Sequence, residues 1–385
     1  MTKTITAEEF RDLQDSDESY TLVDTRPGES FESWHIDGAI NYTYKPHYDF
    51  DAEDFRAQTG LEPDDRILTI CAKGESSFEI LDELDEAGYN DVTVIENGMR
   101  AWSRVYDVTT VPTDSDGIEI IQIQRRAKGC LGYVIGCTET GEACVIDPTR
   151  HVAEFVDAAT EAGYDITAAF DTHVHADHIS GGRTLADEQD VPYYLGADAT
   201  DRGVTHEYEP LERNEVVGVG ELDVKALSTP GHTSEIVSYL VEDEAVATGD
   251  TLFVDSVGRT ELQFGDSEAA EGARQLYKSL HRTLLAEPDS VTVLPGHFPV
   301  SDAGKYGELT PGEPISRPVG DIRQSVDLLD QPRDAFVEHV TERRPEKPPN
   351  YEQIIGLNTG REAVADETEA IELELGPNRC AAEVQ

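Results

Sequence analysis

The sequence predicts an α/β protein in two parts: a doubly wound parallel sheet, then a sandwich of two sheets covered by helices, with an extension at the C-terminal end. Three observations carry this. Short β-branched runs alternate with stretches of helical spacing over residues 1–110; strand-like runs dominate residues 118–300; and residues 301–385 break into Pro- and Gly-rich pieces. The chain has 385 residues, room for two or three domains at roughly 100–200 residues each.

In the first block TLVD, AINY, ILTIC and VTVIE read as strands, and TAEEFRDLQ and SSFEILDELDEAGY as helices between them. That order implies a parallel sheet with helices on both faces, where ligands bind beyond the carboxyl ends of strands. Cys71 sits at such an end. The polar VPTDSDG, residues 111–117, reads as a linker. The second block opens with strands IEIIQI, GYVIG and ACVIDP. A helix HVAEFVDAATEAGY and strand AAFDTH follow, then PYYLG, LDVKALSTP, IVSYLVEDEAVATGD and VTVLPG. SEAAEGARQLYKSLHRTLLAE reads as one long amphipathic helix near its end. In the extension DAFVEHVTE reads as a helix, and the whole stretch is expected to pack on the second block.

Charge narrows the function classes. Asp and Glu number 79 against 30 Lys and Arg, for a formal net charge of −49. With a pI near 4.3 the chain repels phosphates, which argues against nucleic acid and anionic lipid as partners. Self-repulsion of this size is tolerable where salt screens it, so a cytoplasm of high salt is expected. Mean hydropathy is −0.46 and no apolar run approaches the ~18 residues of a membrane span. The start, MTKTITAEEF, does not read as a secretory signal. Five cysteines, with no such signal, favour reduced thiols. Cys130, Cys137 and Cys144 fall in a predicted hairpin and are expected to be buried structural residues.

The densest chemistry is DTHVHADHISGG, where His173, His175, Asp177 and His178 follow a strand. On extended backbone, residues two apart point the same way, so His173 and His175 are expected to share one metal, with Asp177 and His178 reaching a second position. His232, Asp250 and His297 each close a later strand beside Gly. Imidazole and carboxylate together suit Zn, Fe or Mn. On these seven residues the block resembles the metallo-β-lactamase superfamily, which implies an αββα sandwich with the site at one edge of the sheets.

Two branches of that superfamily are in play. In thioester hydrolases of the glyoxalase II type all seven positions hold two metals, here two Zn or a mixed pair. In persulfide dioxygenases a single Fe(II) is held by the residues matching His173, His232 and Asp250, which leaves His175, Asp177, His178 and His297 around it. GRTELQFG resembles the dioxygenase segment whose Arg reaches the carboxylate of the thiol carrier, a role that falls on Arg259. EKPPNYEQI and LGPNRCAA resemble the end of the same family. The resemblance implies one Fe(II) per chain and the oxidation of a low-molecular-weight thiol persulfide by O₂ to sulfite. Asp177 is a catalytic candidate beside the metal.

In the first block CAKGESS follows a strand and opens a helix, so backbone N–H groups and the helix dipole surround the Cys71 thiol. Lys73, Gly74 and Ser76 are the expected binding groups of that loop. LVDTRPGESFESWHIDGAIN and ENGMRAW resemble the rhodanese family, with Asp24 and Arg26 as its structural pair and His35 in its turn. This implies that Cys71 carries sulfane sulfur between persulfide, sulfite and thiosulfate, although the loop offers Lys73 and Glu75 where many rhodaneses have Arg. The first alternative is the dinuclear thioester hydrolase. The second is a non-catalytic persulfide sensor or carrier. Homo-oligomerisation is left open.

Overall fold

The computed structural model describes residues 3–46, 50–342 and 346–381; the side chain of Glu75, the acidic member of the CAKGESS loop, lies outside the described residues, as do residues 343–345 of RRPEKPPNY. The first sheet is parallel throughout. Its order is Thr4–Ile5, Asp91–Ile95, Arg66–Ile70, Thr21–Asp24, Ile40–Asn41. Successive side chains alternate between two cores. Leu22, Leu68 and Ile95 enter one; Val23, Ile67 and Val94 enter the other. Helices on both faces cover them, as a doubly wound sheet requires. The first helix, Ala7–Gln14, starts at a reciprocal cap: Glu9 N–H donates to Thr6 Oγ1, and Thr6 N–H donates to the Glu9 carboxylate.

The second block holds two stacked sheets. One has seven strands, ordered Glu209–Leu211, Tyr193–Gly196, Asp165–Phe170, Glu142–Ile146, Cys130–Cys137, Ile118–Arg125, Tyr106–Val111. The other has six, from Val216–Val219 through Leu222–Ser228, Val237–Val241, Ala245–Gly249 and Thr292–Pro295 to Arg317–Pro318. Tyr133, Ile135, Val224 and Tyr239 are among the inward-facing residues that fill the space between the sheets. Helices Val152–Ala162 and Gly182–Gln189 cover the outer face of the first, and Glu261–Arg282 that of the second. The layers are αββα.

Two expectations need correction here. Tyr106–Val111 pairs along its whole length with the second block, from Tyr106 opposite Arg125 to Val111 opposite Ile120. The chain therefore crosses between blocks near residue 105, and VPTDSDG is a hairpin connection within the sheet. The β-branched run DVTTV supplies an antiparallel edge, which outweighs the turn residues that follow it. The extension also has more structure than the one helix expected. Besides Arg333–Glu342, its helices are Val319–Ser325, Tyr351–Asn358 and Glu367–Leu373.

The extension reaches both blocks. Arg100 Nη2 donates to Glu372 Oε1 at 2.5 Å, and His35 N–H donates to the Asp302 carbonyl at 2.8 Å. Glu374 is its anchor in the metal block. Buried, it accepts from Arg150 Nε at 2.6 Å and from the Ile179 N–H at 2.8 Å, with Arg125 Nη1 3.2 Å away. Burial pushes its carboxyl up, but Arg125, Arg150 and Lys128 outweigh that and hold it at about 2. The stabilisation is fully present above the ordinary carboxyl value and is lost as pH falls through about 2. Glu374→Gln leaves buried cations uncompensated and is expected to cost about 3–5 kcal/mol at neutral pH. Urea unfolding of both proteins at falling pH should show the gap narrowing. A gap that is constant with pH would contradict this.

Candidate metal centre and sulfur-transfer loop

The HxHxDH segment leaves strand Asp165–Phe170 as an irregular turn. Backbone groups there need partners, and Asn358 of the extension supplies them. Its Nδ2 donates to the carbonyls of His175 (2.9 Å) and His178 (2.8 Å), and its Oδ1 accepts from Ser180 N–H at 2.9 Å. Gly249, at φ 48°, lies where a Cβ would meet Thr172 Oγ1 at 2.4 Å, so only glycine lets strand Ala245–Gly249 deliver Asp250 this close to the segment.

His173, His232 and Asp250 converge, with ligand atoms all within 4.8 Å of one another. Asp250 Oδ2 lies 3.8 Å from His173 Nε2 and 3.5 Å from His232 Nε2. Each side chain is held from behind. His232 Nδ1 donates to the Arg259 carbonyl at 2.7 Å, which leaves the Nε2 lone pair free. His173 Nδ1 lies 2.9 Å from Thr172 Oγ1, and Asp250 Oδ1 is 2.6 Å from His297 Nδ1. Burial holds His173 and His232 below the usual histidine range, so both are neutral and able to ligate. Burial pushes Asp250 up, yet His297, His232 and His173 hold it well below the carboxylate range.

The set fits a cation. His173 Nε2 and Asp250 Oδ2 are buried with no hydrogen-bond partner among the described residues. Orphaned buried atoms cost about 1–3 kcal/mol each, which a cation between them relieves. Two imidazoles and one carboxylate form the donor set of mononuclear non-haem Fe(II) sites with open positions.

His175 packs against His173, ring centroids 4.3 Å apart, and its Nδ1 is buried and unpartnered among the described residues. Its Nε2 turns to Asp147 Oδ1 at 3.2 Å and Asp171 Oδ1 at 3.9 Å. Asp147, buried at a strand end with φ 51°, also accepts from Thr172 N–H (2.6 Å) and Thr172 Oγ1 (2.9 Å). Two buried carboxylates need a partner, and Nε2 of His175 supplies it.

Asp177, His178 and His297 gather on the other side. His297 Nε2 is 2.9 Å from Asp177 Oδ2, and His178 Nδ1 is 3.2 Å from Asp177 Oδ1. Cys130 joins them, against the structural role expected of it. Its Sγ lies 3.4 Å from Asp177 Oδ2 and 3.6 Å from His178 Nδ1. Burial pushes this thiol up, but His178 and His297 bring it down to about 7. Cys144, by contrast, is buried in the sheet and pushed up to about 12. Cys380, in the extension, offers a ligand atom within 4.8 Å of those of Asp250 and His297. Sequence reasoning missed Cys130, Cys380, Asp147 and Asn358. The one available signal was that Cys130 and Asp147 lie at ends of predicted strands, as the metal-site residues do.

Arg259 also differs from expectation. It is buried, its guanidinium forks onto Glu261, and Nη1 donates to the carbonyls of Glu346 (2.9 Å) and Arg379 (2.8 Å). It therefore ties the extension to the metal centre, and its carboxylate partner is Glu261.

In the first block Cys71 follows strand Arg66–Ile70 and is 3% exposed. Gly74 N–H donates to its Sγ at 3.0 Å. Gly74 has φ 90°, and helix Glu75–Glu86 begins beside it with half-buried Ser76 in its first turn. The Cys71 carbonyl accepts from Met99 N–H at 2.8 Å, so GMRAW braces the loop. Lys73 is half exposed, 3.9 Å from Glu372. Arg26 and Asp24 form a buried pair at 2.6 Å, and Arg26 Nη2 also donates to the Trp34 carbonyl. His35 stacks on Phe31. These last three are structural, as expected.

The layers and the clustered side chains define an αββα protein with a candidate metal site, preceded by a doubly wound parallel-sheet domain. Residues 6–105 match the rhodanese-like domain, and residues 125–297 match the metallo-beta-lactamase superfamily. The chain belongs to the metallo-β-lactamase superfamily and carries a rhodanese-like domain at its N-terminal end. It is 30% identical to the human mitochondrial persulfide dioxygenase ETHE1, over 46% of this chain and 69% of that protein. It is 37% identical to a Dictyostelium discoideum hydroxyacylglutathione hydrolase, over 34% of this chain but only 48% of that protein's length. Among solved structures, ETHE1 from Myxococcus xanthus aligns at TM-score 0.54 and 28% identity, over 63% of this chain and 98% of that one. Relatives of both activities are thus present. Among the described residues no helix is long and apolar enough to cross a membrane.

Proposed function

We propose that this chain is a persulfide dioxygenase with one Fe(II), which oxidises a low-molecular-weight thiol persulfide and is coupled to rhodanese-type sulfur transfer at Cys71. The observation that carries the reading is the division of the histidines. The ligand atoms of His173, His232 and Asp250 lie within 4.8 Å of one another, with His173 Nε2 and Asp250 Oδ2 unpartnered among the described residues, while His175 turns its Nε2 to Asp147. A dinuclear hydrolase needs His175 in the first position, through its unpartnered Nδ1; a single-iron site leaves that nitrogen unused.

The balance is RSSH + O₂ + H₂O → RSH + sulfite + two protons. Fe(II), held by His173, His232 and Asp250, would supply the redox chemistry that activates O₂ toward the persulfide. The protein does the rest. Thr172 and the Arg259 carbonyl orient the two imidazoles, and burial of the whole set excludes bulk water. His297 bridges Asp250 and Asp177, so Asp177 is a positioning residue that acts through His297. At Cys71, sulfite attacks the outer sulfur of the Cys71 persulfide. The S–S bond breaks and thiosulfate leaves. The electron pair returns to Sγ, where Gly74 N–H and the helix N-terminus receive it.

One observation favours the hydrolase instead: Cys130, Asp177, His178 and His297 form a second donor set within 4.8 Å. Two assays separate the readings. The dioxygenase consumes O₂ and releases sulfite from a glutathione or cysteine persulfide, with no cleavage of a glutathione thioester. Thioester cleavage without O₂ uptake on persulfide would reverse the assignment. Purified, iron-loaded protein that turns over neither substrate would favour the sensor or carrier.

A further inference from the structure

A cavity of about 420 Å³ lies where the C-terminal half of helix Glu261–Arg282 meets the start of helix Arg333–Glu342. None of the residues lining it belongs to the metal cluster or to the Cys71 loop. Its aromatic wall is closed: Tyr277 stacks on His281, ring centroids 4.1 Å apart, and meets Phe336 edge-on at 5.3 Å.

Acidic residues outnumber basic ones 79 to 30 along the chain, yet here the balance reverses. Arg274, Lys278, Arg282 and Arg333 line the cavity against one carboxylate, Asp334. Arg274 is paired with Glu271 at 3.0 Å and Arg333 with Asp334 at 3.1 Å. Lys278 and Arg282 stand one helical turn apart on the same face, and neither has an ion pair or hydrogen bond among the described residues. His281 Nε2 is buried and also unpartnered among them; Asp330 lies close enough to act on that ring but pairs with neither free cation.

Helix polarity accounts for only part of this. His281 and Arg282 sit in the last turn of their helix, where cations are favoured. Arg333 opens the next helix, where they are not. The first hydrogen bond there runs from Phe336 N–H to the Pro332 carbonyl at 3.0 Å, so the N–H groups of Arg333, Asp334 and Ala335 lie before the ladder begins. A positive helix end, Arg333 and two free cations thus meet at one concave site, and an anion relieves all three.

We propose that this cavity binds a small multivalent oxyanion of the diphosphate type, held by Lys278, Arg282 and the start of helix Arg333–Glu342. Two free cations one turn apart call for two linked charged groups, since a monovalent ion meets one and leaves the other. A guanidinium also forks onto phosphoryl oxygens. Tyr277 is committed to His281 and Phe336, so the diphosphate is recognised rather than any base attached to it. The site is independent of the dioxygenase reading.

Titration calorimetry of the native protein with pyrophosphate tests it, at about 0.15 M KCl so that diffuse attraction is screened. One saturable site per chain is expected. Lys278→Ala and Arg282→Ala should each weaken binding by about tenfold or more, as loss of a charge-assisted contact does. Lys225→Ala, which removes the same charge outside the cavity, should change it by less than about twofold. Asp250→Ala should bind as the native protein does; loss of binding there would place the anion at the metal centre and overturn the site. No saturation by about 1 mM pyrophosphate overturns it too, as does equal affinity in the native protein and the Lys278→Ala, Arg282→Ala double variant. ADP should bind no tighter than pyrophosphate; tighter binding would overturn recognition of the diphosphate alone. Thiosulfate that displaces pyrophosphate at equal concentration would overturn the ligand assignment. The native titration stands even if a variant does not fold.

Discussion

Asp250→Ala is expected to lower persulfide oxidation by more than about 100-fold, because partners behind a ligand are already worth 10–100-fold and Asp250 supplies the ligand atom itself. Its Oδ2 faces both His173 and His232, and its Oδ1 holds His297. Removal deletes the one charge that two neutral imidazoles cannot replace and lets His297 turn wholly to Asp177. Iron per chain should fall together with sulfite production. Sulfur transfer from thiosulfate to cyanide should persist, because Cys71 belongs to a different sheet. Near-normal iron content and sulfite release in this variant would exclude Asp250 as a ligand.

Cys71→Ser should give the converse result. A serine oxygen cannot form a persulfide, so thiosulfate:cyanide transfer should drop to the uncatalysed background. Gly74 N–H would still have an acceptor, so the loop should keep its shape. Oxidation of free persulfide should continue, since no metal-site residue lies in the first block. Equal loss of both activities would contradict two separate centres. Sulfur transfer that survives in the variant would make Cys71 a structural residue at a strand end.

Much of this was legible in the sequence because local spacing carried it. Alternation of strand and helix predicted the first sheet, and DTHVHADH with the three strand-end residues His232, Asp250 and His297 marked the residues that cluster, while the division into His173, His232 and Asp250 is what the family resemblance implies. What stayed hidden depended on partners far along the chain. His175 is drawn aside by Asp147, 28 residues upstream. Cys130 reads as one more buried residue of a hairpin, yet it begins the strand Cys130–Cys137 at the end that abuts the metal loop. Arg259 was expected to reach the carboxylate of a thiol carrier, and its buried partners, Glu261 and the carbonyls of Glu346 and Arg379, stayed hidden because they come partly from the tail. Tyr106–Val111 looked like the end of one block because polar turn residues follow it, but the edge of the next sheet claimed it.

The central claim is one ferrous ion held by His173, His232 and Asp250, with His175 outside the set. Metal analysis of protein purified without oxygen, alongside an Asp147→Ala variant, tests it most directly. The account predicts one iron per chain and no stoichiometric zinc in the native protein. Freeing His175 from Asp147 should permit a change in metal content. Two zinc ions per chain in the native protein, with activity indifferent to air, would contradict it.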